Sequence, residues 1–346
     1  MADSAARVAV LGGTGLLGYA AVRALRVRGA DVRALARDVD ERVVERLPGL
    51  GGIPLHAIDA FACADEELAQ LLRGCDGLAY CLGPDDRTSP PAPAADFYRT
   101  WLVEQTERIC RIARAAGVER IVVLGSYFMT WDRMHPELGV AAHHPYVQAR
   151  VDQAARAIAA GGGRAAGGAD VAILEIPYVF GTQPGVVPFW KDWVFDRVRA
   201  MPVVLYPDGG TSVVTTKLVG EAVAGALAGP PDEPGTQRWV HGGRYPLSDV
   251  QLTWAHLLRI ILDAMGRPGR RIVTIPRLLA EPGAWALGRE ARTGGREPGV
   301  QPRWLMRDVM CQRLWMDDTD SRAALGYTGG GVAAAIAETV RAAYRS

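Results

Sequence analysis

Two rhythms of apolar residues alternate along this chain. Short uninterrupted apolar runs read as strands buried on both faces of a parallel sheet, and the stretches between several of them carry apolar residues at helical spacing. Residues 8–11 are the first run, and Leu16, Leu17, Ala20, Ala21, Ala24 and Leu25 then predict a helix over 16–28. Further runs at 32–36, 53–58, 78–82, 121–124 and 171–174 predict strands two to six. A long helix is expected over 96–116, with Trp101, Leu102, Ile109, Ile112 and Ala113 on or near its buried face and Gly117 as its stop. A second long helix opens at Tyr146, with Val147, Val151, Ala154, Ala155 and Ile158 facing the core. The proline-rich stretch 84–93 predicts a mobile loop, and the glycine-alanine run 159–168 a flexible surface connection.

Strands alternating with helices at this spacing demand an α/β fold, a Rossmann-type doubly wound parallel sheet with its ligand at the strands' carboxyl ends. After Gly181 the rhythm breaks. Pro184, Pro188, Pro202, Pro207 and the run 229–235 cut the chain into short pieces, and Trp190, Trp193 and Phe195 crowd one of them, a group read as core before pocket wall. The expected division is a nucleotide-binding domain over 1–180. Residues 181–346 then form mainly a smaller, discontinuous substrate domain, some of whose segments return to the first.

The turn between the first strand and helix reads Gly12-Gly13-Thr14-Gly15-Leu16-Leu17-Gly18. Glycines there permit a tight turn and close backbone approach to a pyrophosphate, whose charge sits on the helix N-terminus. Gly12, Thr14, Gly15, Leu16, Leu17 and Gly18 are therefore candidate cofactor contacts. Arg37 and Asp38 close the second strand, where the adenosine ribose is read. An arginine fork suits a 2′-phosphate and an acid the free hydroxyl, so Arg37 points to NADP and Asp38 leaves NAD as the lesser choice. Asp59, at the end of strand three, is placed to face the adenine, and Leu82 and Gly83 at the end of strand four to border the cofactor.

Composition narrows the partners. In 346 residues, 39 Lys plus Arg balance 38 Asp plus Glu, so no basic stripe suggests nucleic acid. Cys63, Cys75, Cys81, Cys110 and Cys311 are widely spaced and indicate buried free thiols in a reducing compartment, without a zinc knuckle or disulfide frame. The first apolar run is already the first strand and none is long enough for a membrane span, so a cytoplasmic protein without leader or membrane anchor is expected.

Taken together, these residues resemble the extended short-chain dehydrogenase/reductase superfamily, of the nucleotide-sugar epimerase/dehydratase type. The likeness runs from the glycine turn to Ser321-Arg322-Ala323-Ala324-Leu325-Gly326-Tyr327. It implies that Ser126 is the catalytic serine and that Tyr146 with Arg150 is the Tyr-x-x-x-Lys pair, with arginine in the lysine's place. It also implies that Pro177 and Val179 border the nicotinamide, and that long helices pair in a homodimer. Trp101 stands where the family often has asparagine, and Lys217-Leu218 where it has an acid.

The chemistry can be stated without the family. Hydride transfer to a carbonyl needs a proton donor and a second hydrogen bond on the carbonyl oxygen, roles open to Tyr146 and Ser126. Residue 150 lies one helical turn beyond Tyr146, so its charge is placed to lower the phenol's pKa; that its guanidinium holds the nicotinamide ribose is what the resemblance implies. His135, His143 and His144 offer alternative proton carriers, although solvated loop histidines is the plainer reading, and they form no metal pattern. The expected function is an NAD(P)-dependent oxidoreductase or epimerase acting on a small organic substrate. A non-redox lyase, isomerase or cyclase on the same fold, or a nucleotide-sensing module without catalysis, are the alternatives.

Overall fold

A computed structural model describes residues 5–282 and 294–345. Six of the buried runs become β1 (Arg7–Leu11), β2 (Asp31–Ala36), β3 (Leu55–Ala57), β4 (Gly77–Tyr80), β5 (Arg120–Ser126) and β6 (Asp170–Ile176). They pair in parallel in the order β6-β5-β4-β1-β2-β3, the doubly wound arrangement. Period-two alternation distributes their side chains between two cores. Val8, Val10, Ala34, Val122, Leu124 and Leu174 face one side of the sheet, with Ala21, Val22 and Leu25 of the helix Leu16–Val27. Ala9, Leu11, Leu35, Leu78, Val123 and Ile173 face the other, with residues of the helices Asp65–Leu72, Gln105–Ala115 and Pro145–Gly161.

The chain after Gly181 feeds both halves of the molecule. β7 (Tyr178–Phe180), β8 (Val204–Pro207) and β9 (Gly210–Thr215) lead to the helix Thr216–Ala228, which lies on the helix Leu16–Val27. β10 (Arg244–Pro246) then joins β6 in parallel and makes the main sheet seven-stranded. The smaller part is built from β11 (Val250–Thr253), β12 (Ile272–Ile275) and β13 (Arg313–Leu314): β9 pairs with β11, β13 and β7, and β12 pairs with β8. Trp190 and Phe195 are buried in its core, whereas Trp193 is 42% exposed. Among the described residues no helix is long and apolar enough to cross a membrane.

Local expectations change in three places. The third strand is only Leu55–Ala57, shorter than its apolar run. The long helix starts at Ala94 and passes through a π-helical stretch, Arg99–Glu104, which contains Trp101. The glycine-alanine run is a packed turn rather than a loose connection. Its backbone closes on itself, Gly168 N–H to Gly163 O at 2.9 Å and Ala169 N–H to Gly161 O at 2.9 Å. A Cβ on Gly161 would collide with Val171, so the small residues there serve close packing on β6.

Close approach also fixes the helix Thr216–Ala228, where a Cβ on Gly220 would lie 2.5 Å from Ala20 O and one on Gly225 would overlap Leu325 O. Both neighbours are backbone and cannot move alone. Gly225→Ala is expected to destabilise the fold by about 1–3 kcal/mol, read as a lower Tm in thermal unfolding.

Candidate active site

The glycine turn is shaped by its contacts. Gly12 adopts φ +81°, and its N–H donates to Leu35 O at 2.8 Å. A Cβ there would sit 2.7 Å from Cys81 O and 3.0 Å from Leu82 Cδ2, which brings the turn against the end of β4. A Cβ on Gly18 would run into Gly12 O. Gly15 caps the helix Leu16–Val27 without a side-chain hydrogen bond, and no acid stands in the first turn. The tight turn thus presents the uncapped N-terminus of the helix Leu16–Val27, the place where a pyrophosphate would be held. Leu16 and Leu17 are half-buried beneath it. The Thr14 carbonyl accepts from Nε2 of buried Gln183, a tether from beyond β7 that the sequence did not signal.

The outlying cofactor candidates separate. Arg37 and Asp38 are exposed just past β2, open to a ribose or its phosphate. Asp59 is exposed, but its carboxylate accepts from Phe61 N–H at 3.0 Å and so closes its own turn. Gly83 is exposed at φ +118°, and a Cβ there would lie 2.8 Å from Leu102 Cδ2. Pro177 is buried, and the Val179 carbonyl accepts from Trp190 Nε1 at 2.8 Å.

Ser126, Tyr146 and Arg150 come together at the carboxyl end of β5, at 5%, 4% and 7% exposure. Arg150 Nε donates to Tyr146 Oη at 3.0 Å, so the phenol oxygen is occupied as an acceptor and its own proton stays free to be given away. The other guanidinium bonds run to Leu124 O (3.1 Å), Gln153 Oε1 (2.8 Å) and Pro84 O (3.2 Å). Gln153 in turn donates to Thr106 Oγ1 at 2.8 Å. Gln153 lies three residues after Arg150 on the same helix face, a spacing legible in the sequence but not used. With both Nη1 hydrogens and one Nη2 hydrogen engaged, the guanidinium is a fixed clamp, with little left to hold a ribose.

Burial pushes the Tyr146 phenol above its ordinary value, more than Arg150 and the Ser126 hydroxyl bring it down. Arg150 acts downward on the phenol, as its place one turn on implies, but burial outweighs it and the phenol is held protonated at neutral pH. Asp86 adds to the upward push. The sequence reading missed this residue, which lies in the loop after β4. That loop is tethered instead of loose: besides the Arg150 bond to Pro84 O, Tyr98 Oη lies 2.7 Å from Thr88 O and 3.1 Å from Asp85 O.

The histidines are not solvated loop groups throughout. His135 packs on Trp131 at 3.9 Å between ring centroids and lies 3.1 Å from Glu137. His144 is fully buried, accepts from Gln301 N–H at 2.9 Å and lies 3.4 Å from Asp308 Oδ2. His143 Nδ1 stands 2.8 Å from the same carboxylate and stacks on Trp304. His143 ends the segment Val140–His143 and His144 caps the helix Pro145–Gly161, whose start is also held by the bond from Tyr146 N–H to Gly299 O at 3.0 Å. Trp101 sits among Phe61 and Phe97, and Lys217 pairs with Glu221 at 3.2 Å. Among the described residues no group of three or more His, Cys, Asp or Glu is arranged to hold a metal.

With this geometry in hand, comparison with known proteins is direct. Residues 12–164 match the family described as NAD(P)H-binding. Over those residues the chain is similar to NAD(P)H-binding domains, and its doubly wound fold is shared with solved proteins. It is 25% identical over 334 residues to 4-hydroxy-2-methyl-3-oxo-4-farnesyl-3,4-dihydroquinoline-1-oxide ketoreductase of Stigmatella aurantiaca, covering 93% of this chain and 92% of that one. Its fold is shared with a nucleoside-diphosphate-sugar epimerase from Pseudomonas aeruginosa, at TM-score 0.66 and 22% identity, over 97% of this chain and 96% of that one. A Citrobacter sp. triphenylmethane reductase complexed with NADP(H) matches at TM-score 0.60 and 16% identity, over 97% and 99% of the two chains.

Burial alone would push the Asp308 carboxyl up, but hydrogen bonds from His144, Arg307 and His143 outweigh it and hold the group at about 2. A depressed carboxyl contributes stability that is complete above its unfolded value, near 4, and is lost as pH falls through about 2. Asp308→Asn is therefore expected to lower Tm at pH 7 and to flatten the loss of Tm between pH 4 and 2, measured by calorimetry across that range.

Proposed function

We propose that this protein is an NADPH-dependent reductase of a ketone carried on a ring system, with Tyr146 as proton donor. The observation that carries this reading is the buried phenol, whose oxygen accepts from Arg150 Nε at 3.0 Å and whose proton is left free. Reduced nicotinamide, when bound along the glycine cradle, supplies hydride to the carbonyl carbon. The Tyr146 proton goes to the carbonyl oxygen, giving the alcohol, while the Ser126 hydroxyl holds that oxygen in place. Arg150 keeps the phenol oriented and supports the phenolate left behind, which solvent reprotonates.

Burial keeps the phenol protonated at rest, the form that a ketone reduction consumes. The Stigmatella relative, named as a ketoreductase of a 3-oxo-dihydroquinoline, supports reduction of a ring ketone. The Tyr146 ring is packed edge to face against Tyr98 at 5.4 Å and Phe128 at 6.4 Å, which fixes the direction of the phenol. Arg37, exposed where the adenosine ribose is read, supports NADP over NAD.

Tyr146→Phe is expected to cut kcat for ketone reduction by roughly 10²–10⁴-fold with NADPH affinity nearly unchanged; full turnover in that variant overturns the assignment. Because the protonated phenol is the working form and its pKa lies above the ordinary 10, kcat should show no tyrosine-dependent fall from pH 7 to 9. The decline comes only at more alkaline pH, as the phenol ionises. Titration following nicotinamide fluorescence should show tighter binding of NADPH than NADH, a preference that Arg37→Ala removes.

A further inference from the structure

Asp86 lies between Pro84 and Thr88, where the chain leaves the carboxyl end of β4. Both sides of it are pinned. Arg150 Nη2 holds Pro84 O at 3.2 Å, and Tyr98 Oη reaches Asp85 O and Thr88 O. The neighbouring acid is occupied locally: Asp85 accepts from Arg87 N–H at 3.0 Å and pairs with the Arg87 guanidinium, which lies 3.5 Å from the centroid of the Phe189 ring. Asp86 differs. Its carboxylate has no side-chain hydrogen-bond partner among the described residues, only a backbone bond within its own residue.

The groups that face it are those of the reacting site. Arg150, which holds Pro84 O, donates to Tyr146 Oη at 3.0 Å, and the Tyr98 ring stands 5.4 Å from the Tyr146 ring; the charges of Arg150, Tyr146, Tyr98, Tyr127 and Tyr178 couple to the Asp86 carboxylate. Arg150 is its sole nearby cation among these, and that guanidinium spends its hydrogens on Tyr146, Gln153 and two carbonyls. A half-buried carboxylate, in a loop whose backbone is pinned to Arg150 and Tyr98, thus lacks a donor.

We propose that Asp86 contacts the substrate, its carboxylate accepting a hydrogen bond from a hydroxyl or N–H group next to the reacting carbonyl. The site then selects ring ketones that carry such a donor over plain ketones. This rests on the ketone-reductase reading above. A substrate without the donor strips water from the carboxylate and gives nothing back, and this asymmetry is what discriminates. Burial pushes the Asp86 carboxyl up to about 6, against Arg150 and its own backbone bond. The group is therefore mostly ionised at neutral pH and loses its acceptor strength as pH falls through about 6.

The test compares 1-tetralone with 2-hydroxy-1-tetralone, following NADPH oxidation by the full chain at pH 7.5. Wild type should favour the hydroxy ketone by roughly 10- to 100-fold in kcat/KM, mainly through KM, with the preference shrinking below pH 6. Asp86→Ala should bring the ratio towards one. Asp86→Asn, which keeps the shape and removes the charge, should lose most of the preference and all of its pH dependence. A wild-type ratio near one, or an Asp86→Ala that retains the preference, overturns the role of Asp86 and leaves the reductase standing. Wild type that binds NADPH yet oxidises it with neither ketone overturns the reductase reading, and this inference with it.

Discussion

The Arg150 guanidinium is the point on which the site turns. A charge only 7% exposed is costly unless its hydrogens are used, and here a different element meets each side of it. The end of β5 gives Leu124 O, the loop after β4 gives Pro84 O, and the catalytic helix gives Gln153 and the phenol itself. Through Gln153 and Thr106 the network continues into the helix Gln105–Ala115. A lysine ammonium, with three hydrogens on a flexible stem, cannot meet four fixed acceptors in this plane. The arginine is thus a change of design more than a stand-in: it orients the phenol and ties three elements together at the carboxyl edge of the sheet.

Burial and charge compete at Tyr146, and burial wins. Arg150 stabilises the phenolate, but the closed aromatic surroundings and Asp86 work against it. The phenol therefore rests in the state needed to give a proton. That single balance connects the packing of Tyr98, Phe128 and Tyr146 to the protonation of the phenol.

The two parts of the chain are interlocked at the site. Gln183 reaches back from beyond β7 to the Thr14 carbonyl in the glycine turn. Gly299 and Gln301 hold the start of the catalytic helix, and Asp308 holds its two histidines. Residues that look like a covering domain therefore set the position of both the cofactor cradle and the reacting phenol. Four residues from distant parts of the chain thus act on one helix and one turn.

The doubly wound sheet, the glycine turn and the pairing of Tyr146 with Arg150 were legible in local patterns: uninterrupted apolar runs, glycines where a Cβ has no room, and a one-turn spacing on a single helix face. The place of Ser126 beside them followed from the family resemblance alone. The return of β10 to the main sheet, the tight turn at 161–169 and the burial of His144 were not legible, because each depends on a partner far away in the chain. The same holds for Asp86, which in sequence is one acid among prolines. Only the folded chain places it beside Arg150 and four phenols, and only burial settles the protonation of Tyr146, since a pKa is set by what surrounds a group in space and not by its neighbours along the backbone.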